Sequence, residues 1–194
     1  MSLLQNIVII LILIAGAGFL SLTEIALAGA RKVKLKILAE SGEHRAQKAL
    51  DLQENSADFF AASQIGLNAV AILGGILGEG AFRPYIFNFV SRFYQGPWAE
   101  NISFALSFTV VTSLFILFAD LMPKRLAMIA PEKIAVSVIE PIQIFIKVCK
   151  PLAWLINVIA NMLFRLFKVN TIRDDNITFD DISAVMDAGA QAGV

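Results

Sequence analysis

Three long stretches of the sequence carry at most two charged residues each, and they cover residues 4–30, 57–82 and 102–121. A helix needs about 20 mostly apolar residues to cross the hydrocarbon core of a bilayer. The whole chain is 57% hydrophobic and 16% charged, with a mean hydropathy of +0.71, whereas a soluble domain has about 25% charged residues. We therefore predict an all-α integral membrane protein with three transmembrane helices per subunit.

The composition argues against several classes of function. Sixteen basic and sixteen acidic residues cancel, so no nucleic-acid partner is expected. A single cysteine, Cys149, and a single histidine, His44, leave little material for a multi-cysteine metal site or a Ser-His-Asp triad. We expect no enzymatic activity and no bound cofactor.

The distribution of cations predicts the topology. No cation precedes the first apolar stretch, and a basic segment, residues 31–36, follows it directly. The positive-inside rule then places the N-terminus outside and residue 31 in the cytoplasm. Residues 37–55 would form a cytoplasmic hairpin, and residues 83–100 would form the outer loop.

Residues 134–168 permit two interpretations. They are apolar enough for a fourth span, but Glu140-Pro141 and Lys147 to Pro151 interrupt them. A crossing here would place Arg165 and Lys168 at the outer face, against the positive-inside rule. An amphipathic juxtamembrane belt on the cytoplasmic interface satisfies that rule and is favoured, with the fourth span as the alternative.

Residues 169–194 are acidic and polar, and they predict a cytoplasmic helical region. Thr178 is a suitable N-cap, so a helix is expected to run on from Phe179. The C-terminus is then cytoplasmic, and the chain is expected to be a truncated form of a longer protein.

Polar side chains inside the predicted spans are the candidate site. A carboxylate within a span costs several kcal/mol unless it is paired or hydrated, roughly 2.5–3.5 kcal/mol on insertion scales, so it indicates function by default. Gln64 and Asn68 are four residues apart and share one helix face. Pro123 is expected to end or break the third helix and to free carbonyls near Ala119. The predicted cation-binding residues are Ser21, Glu24, Gln64, Asn68, Asp120 and Pro123.

Each of these residues also has a structural interpretation. Glu24 could lie near the interface and pair with Arg31 or Lys32, and the two amides could simply join helices. Lys124 could neutralise an acid while the site is empty, or it could serve only as a topological anchor. The glycines of the second span could serve helix packing or act as a hinge; they are Gly66, Gly74, Gly75 and Gly78.

Two motifs resemble the transmembrane domain of the CNNM/CorC (DUF21) family. One is Phe19-Leu20-Ser21-Leu22-Thr23-Glu24-Ile25-Ala26-Leu27, followed by the basic segment; the other is Pro123-Lys124-Arg125-Leu126-Ala127 with Ala130-Pro131-Glu132. Residues 64–75 and 118–121 resemble in particular a bacterial polyamine-export branch of inner-membrane proteins. The resemblance implies a homodimer of three-span subunits with a belt. It also implies a pair of CBS domains beyond residue 194, and ATP would concern only that region.

The sequence departs from the metal-transporting members of the family. Those commonly carry Gly-Glu before Pro-Lys, whereas this chain has Ala119-Asp120, and they carry asparagines where this chain has Leu67 and Ala71. Fewer oxygen ligands and a shorter acid suit Mg²⁺ poorly, because that ion requires octahedral oxygen coordination. The remaining acids and amides in an apolar surround suit an elongated organic cation, and the resemblance to the polyamine-export branch implies efflux of small polyamines such as putrescine and cadaverine.

Two alternatives remain open at this point. One is efflux of Mg²⁺ or Co²⁺, with Na⁺ as a coupling ion, in which case Ser21, Glu24, Asn68 and Asp120 would hold the metal. The other is a non-transporting membrane scaffold or regulator, although the intramembrane acids argue against it.

Overall fold

The computed structural model describes residues 3–167, and all regular secondary structure within that range is helical. The helices are α1 (Leu3–Gly29), α2 (Lys32–Glu40), α3 (His44–Glu54), α4 (Ala57–Val90), α5 (Ala99–Phe115), a π-helical turn (Ile116–Leu121), α6 (Met122–Ile129) and α7 (Pro131–Leu166). The helix expected from Phe179, and the acidic region that contains it, lie outside the described residues.

Within the described range, four helical segments are long and apolar enough to cross a membrane. They are Leu4–Gly29, Ala57–Val90, Ala99–Ile129 and Pro131–Ala160. The first three contain the predicted spans, and the prediction of an all-α membrane protein is confirmed. The fourth coincides with the segment predicted as a belt. Length and composition do not distinguish a belt from a span, so the three-span topology and its orientation stay predictions.

The second span continues further than the sequence indicated. Helix α4 runs without interruption through Pro84 to Val90, so the prediction of an outer loop starting at residue 83 is wrong for residues 83–90. Proline removes one backbone N–H from the helical ladder, but the residues after it keep the helix, and its last turn closes with Ser91 N–H donating to Phe87 O at 2.8 Å. One lost hydrogen bond was insufficient to end this helix.

The prediction that the third helix ends or breaks at Pro123 is also wrong. The helix widens into the π-helical turn, in which Met122 N–H donates to Leu117 O five residues back, and it then continues as α6 to Ile129. Pro123 consequently lies in the first turn of α6. A missing N–H costs least in the first turn of a helix, so the π-helical turn allows the chain to keep a proline without breaking.

Helices α1 and α4 run antiparallel. Gln64 on α4 contacts Glu24 on α1, while Gly66 lies against Leu20 one turn earlier on α1. A Cβ on Gly66 would lie 2.7 Å from Leu20 Cδ1 and 2.6 Å from Phe145 Cζ of α7. A side chain at position 66 would therefore require Leu20 and Phe145 to shift.

Helices α4 and α5 are also antiparallel, and two glycines lie at their contact. Gly74 faces the ring of Phe115 and Gly78 faces Val111, and a Cβ on either glycine would overlap these side chains. Small residues allow close approach of helices in lipid. Gly75, in contrast, has open space at its Cβ position, and α4 shows no break at any of these glycines.

The hairpin predicted between the first two spans is formed by α2 and α3. Gly42 occupies its turn with φ = 100°, a backbone conformation that favours glycine. Gln53 of α3 donates to two carbonyls at the end of α1, Leu27 O at 2.5 Å and Ala30 O at 2.9 Å. It thereby satisfies acceptors that the helix end leaves unpaired.

One apolar core joins the end of α1, the hairpin, the start of α4, α6 and the first half of α7. Its buried members are Leu20, Ala26, Leu27, Ala30, Leu35, Ala46, Ala49, Phe59, Ala127, Ala135, Ile139 and Ile142. The chain as a whole divides into two compact units, residues 1–154 and 155–194. In the second unit the described residues are helical as far as Leu166, and every residue of the candidate site described below belongs to the first.

Ion pairs connect α7 with the preceding basic elements. Glu132 lies 3.3 Å from Arg31 Nε and 3.4 Å from Lys34 Nζ, and its side chain is only 11% exposed. Glu140, which is exposed, pairs with two cations of the hairpin in the same way. Its Oε1 lies 3.4 Å from Arg45 Nε and 3.5 Å from Lys48 Nζ.

Candidate functional site

A cavity of about 280 Å³ lies between α1, α4, α5 and the π-helical turn. Its polar lining consists of one carboxylate, one amide and two hydroxyls, from Asp120, Asn68, Ser21 and Thr112. The remaining wall is almost entirely apolar and comprises Ala17, Leu67, Ala71, Gly75, Val111, Phe115, Ile116 and Ala119.

Asp120 makes two polar contacts, both through Oδ1. Ser21 Oγ of α1 donates to it at 3.3 Å, and Lys124 Nζ lies 2.6 Å away, one helical turn further along the chain. The side chains of Asp120 and Lys124 are 45% and 33% exposed. The only carboxylate lining the cavity is therefore already accompanied by a cation from its own helix.

The position of Asp120 follows from the local backbone. It is the fifth of the six residues of the π-helical turn, and π-helical turns inside α-helices occur frequently at functional sites. Its neighbour Ala119 is buried against the bundle. On α1, Gly18 allows the helix to come close to this turn, because a Cβ there would lie 3.2 Å from Pro123 Cγ and 3.4 Å from Phe118 O.

The second predicted acid, Glu24, lies outside the cavity lining. Its Oε1 accepts a hydrogen bond from Gln64 Nε2 at 3.1 Å, one turn of α1 beyond Ser21. The proposed alternative pairing of Glu24 with Arg31 is not observed, because Arg31 contacts Glu132 instead. Glu24 and Gln64 thus form a separate polar contact between α1 and α4.

Three of the six predicted site residues line one cavity: Ser21, Asn68 and Asp120. Glu24 and Gln64 pair beside it, and Pro123 packs behind the π-helical turn, against Gly18. Within residues 3–167, no three side chains of the His, Cys, Asp or Glu type come together in a group that could hold a metal ion.

Sequence reasoning did not single out several residues of this region. Thr112 was one of five hydroxyl residues on its helix, and no spacing rule separated it from the others. Gly18 shows its importance only through its tertiary contact. Glu79 could have been noted as a further acid within a span; its side chain is 17% exposed, and Arg83 Nε lies 3.6 Å away.

A bundle of long apolar helices around a small cavity with a single carboxylate defines a multi-pass helical membrane protein. The profile of the CNNM family, described as the cyclin M transmembrane N-terminal domain, matches residues 8–194. The chain belongs to this family and is a multi-pass protein of the bacterial inner membrane.

Several curated proteins are similar to the chain over almost its whole length. The polyamine export protein of Escherichia coli K12 is 53% identical over 191 residues, which are 98% of this chain and 43% of that protein. The polyamine export protein of Haemophilus influenzae is 46% identical over 194 residues, 100% of this chain and 45% of that protein. A UPF0053 protein of Synechocystis is 32% identical over 186 residues, which are 95% of this chain and 42% of that protein. The chain thus spans less than half the length of these relatives.

Proposed function

We propose that the chain forms the membrane part of a cation exporter whose substrates are small linear polyamines such as putrescine and cadaverine. The observation that carries this proposal is the chemistry of the cavity. A single carboxylate is joined by one amide and two hydroxyls, and the rest of the wall is apolar. A linear diamine needs hydrogen-bond acceptors for its ammonium ends and an apolar surface for its methylene groups.

Asp120 would bind one ammonium group of the substrate. Its carboxylate is the only charged group lining the cavity, and hydrogen bonds to ionised groups are roughly twice as strong as neutral ones. The amide oxygen of Asn68 and the hydroxyl of Thr112 would accept hydrogen bonds from the second ammonium. Ser21 would orient the acid through the hydrogen bond that it donates to Oδ1.

Glu24 and Gln64 would form a second polar binding site for the cation, one turn of α1 away from Ser21. Their hydrogen bond satisfies both side chains in the described conformation. In the proposed topology the following basic segment is cytoplasmic, so this pair lies nearer the cytoplasmic face than Ser21 does. It would receive the cation before Asp120.

The apolar wall favours an amine over a metal ion. Leu67 and Ala71, where metal-transporting members are expected to carry asparagines, both line this cavity. Mg²⁺ retains several waters and requires near-octahedral oxygen coordination at about 2.1 Å, which methyl and methylene groups cannot provide. The names of the Escherichia and Haemophilus relatives agree with this choice.

The assembly belongs to the same proposal. Two copies would form a homodimer with three spans each, the N-terminus outside and α7 as a belt on the cytoplasmic interface. Ions would be transported or coupling species rather than bound cofactors. Gly66, Gly74 and Gly78 would keep the helices close, while the open space at Gly75 leaves room for the substrate.

Transport into inside-out vesicles tests this proposal. Vesicles containing the full-length protein should accumulate labelled putrescine, and Asp120→Asn should reduce the initial rate at least tenfold while leaving membrane insertion intact. Glu24→Gln should reduce it less, because that acid lies outside the cavity. Asp58→Asn is the matched control, since Asp58 pairs with Lys150 on the surface, 3.7 Å away.

Magnesium is assayed in the same vesicles. Transport of Mg²⁺ without putrescine would establish the metal alternative, and transport of neither would favour a scaffold role. Putrescine transport that is unaffected by Asp120→Asn would contradict the assignment of the site.

A further inference from the structure

We propose that Lys124 is a tethered competitor of the substrate: its ammonium occupies the substrate's position on Asp120 and must leave when a polyamine binds. This inference rests on the proposed function and concerns how the same site selects and releases its cation. Lys124 Nζ lies 2.6 Å from Asp120 Oδ1, which is a direct charge-assisted contact.

The chemistry of the two cations is nearly the same. A lysine side chain is a primary ammonium on a flexible chain of four methylene carbons, and one half of a linear diamine is also a primary ammonium on methylene carbons. Both would approach Oδ1, the same oxygen that Ser21 contacts. Binding at this oxygen is therefore an exchange of one ammonium for another.

Lys124 is able to make this exchange because its side chain is not buried among the helices. It is 33% exposed and lies one turn beyond Asp120, at the edge of the cavity rather than in its lining. On leaving the carboxylate, its ammonium would turn away from the apolar wall and towards the cytoplasmic interface of the proposed topology. The long side chain needs no change of the backbone to do so.

The exchange keeps Asp120 paired with a cation in both states. A carboxylate within a membrane span is costly unless it is paired or hydrated, so release of a tightly held substrate would be slowed if the acid were left alone. With Lys124 ready to return, substrate can leave without exposing that charge to the apolar wall. The cost of this arrangement is a weaker resting affinity, which suits an exporter that must release its cargo.

The same arrangement selects against a divalent metal ion. With Lys124 in place, the pair of Asp120 and Lys124 carries no net charge, and the other polar groups lining the cavity are neutral. A metal dication would have to displace Lys124 and would then find one carboxylate and few oxygens. A diamine replaces the lysine ammonium with an equivalent group.

Putrescine binding to the purified full-length protein in nanodiscs tests the inference. Lys124→Met should tighten binding roughly two- to fivefold, the size expected for loss of a partly exposed ion pair. Lys124→Arg retains a tethered cation and should stay within about twofold of the original affinity. Lys133→Met, at an exposed lysine outside the cavity lining, is the matched control and should change nothing. Unchanged or weaker putrescine binding by Lys124→Met would overturn the competition.

A second measurement follows Lys124 itself. Acylation of each lysine by an amine-reactive reagent is quantified by peptide mass spectrometry, and the labelling of Lys124 should rise when putrescine is added. Asp120→Asn should raise it without any substrate, because the carboxylate that holds Lys124 has been removed. Labelling of Lys133 serves as the internal reference. Labelling of Lys124 that does not rise in Asp120→Asn would also overturn the inference.

The labelling assay also separates failure of the inference from failure of the proposed function. If the vesicles transport no putrescine but Mg²⁺ raises the labelling of Lys124, the substrate proposal is wrong and the competition at Asp120 holds for another cation. If neither cation changes the labelling, the competition itself is wrong, whatever the vesicles transport.

Discussion

Gly18 of α1 lies directly against Pro123 of α6. A Cβ on Gly18 would be 3.2 Å from the proline ring and 3.4 Å from the carbonyl oxygen of Phe118 in the π-helical turn. This contact presses α1 onto the segment that carries Asp120. The shape of the cavity therefore depends on Gly18, a residue without a side chain.

Replacing Gly18 with valine should destabilise the protein by about 1–3 kcal/mol, the usual cost of overpacking a close contact. The branched side chain would force α1 away from Pro123 and would separate Ser21 from Asp120. Thermal unfolding in detergent measures the loss. Gly16→Val is the control, because nothing lies within 4 Å of a Cβ on Gly16. Equal melting temperatures for the two variants would contradict the contact.

The contact between α4 and α5 provides a second packing test. Gly78→Leu should destabilise the bundle by roughly 1–3 kcal/mol, because any side chain at this position overlaps Val111. Gly80→Leu, two residues further, meets open space and should have little effect. Unfolding in mixed detergent micelles compares the two variants, and the reverse order of stability would refute the packing described here.

Two asparagines in the cavity wall should shift selectivity towards magnesium. The double variant Leu67→Asn, Ala71→Asn adds two amide oxygens beside Asp120 and removes apolar wall. Oxygen ligands favour Mg²⁺, so the ratio of Mg²⁺ to putrescine transport should rise several-fold in vesicles. The single variant Ile72→Asn, outside the cavity lining, controls for polarity alone. An unchanged ratio would show that these positions do not select the substrate.

The ion pairs of α7 should differ in their contribution to stability. Glu132→Gln breaks contacts with Arg31 and Lys34 at a largely buried carboxylate, whereas Glu140→Gln breaks contacts at a carboxylate that is 47% exposed. We expect a larger loss of stability for the first variant than for the second, because the Glu132 side chain is less exposed than that of Glu140. Thermal unfolding at low and at high salt should show the difference shrinking as the charges are screened.

Cysteine accessibility can decide whether α7 is a belt or a fourth span. In a Cys149→Ser background, Phe167→Cys should react with a membrane-impermeant thiol reagent from the same side as Ser41→Cys in the hairpin turn. Gln95→Cys, between α4 and α5, reports the opposite side. Phe167→Cys labelled together with Gln95→Cys would establish the fourth span.

The helices were predictable because their cause is local. A stretch of apolar residues of membrane length must satisfy its backbone hydrogen bonds internally, and this holds for any tertiary arrangement. The sequence therefore identified the first three long apolar helices and the hairpin. Reasoning from the sequence overestimated the helix-breaking effect of proline. Pro84 and Pro123 both lie inside continuous helices, because a helix can lose one hydrogen bond or take up a π-helical turn.

The polar residues were found for a similar reason, since an acid or amide in a span is rare and costly whatever surrounds it. Which of them act together could not be obtained this way. The crossing of α1 over the π-helical turn brings Ser21 and Asp120 into contact, and the register of α4 adds Asn68 to the cavity but leaves Glu24 with Gln64.

The sequence by itself thus determined the class of protein, the approximate positions of its long apolar helices and the side chains worth testing, because hydrophobicity and charge act residue by residue. The tertiary structure decided that Asp120 contacts both Ser21 and Lys124 and that Leu67 and Ala71 line the same cavity. Such relationships depend on close approach at glycines such as Gly18, and that approach exists only once the helices have packed.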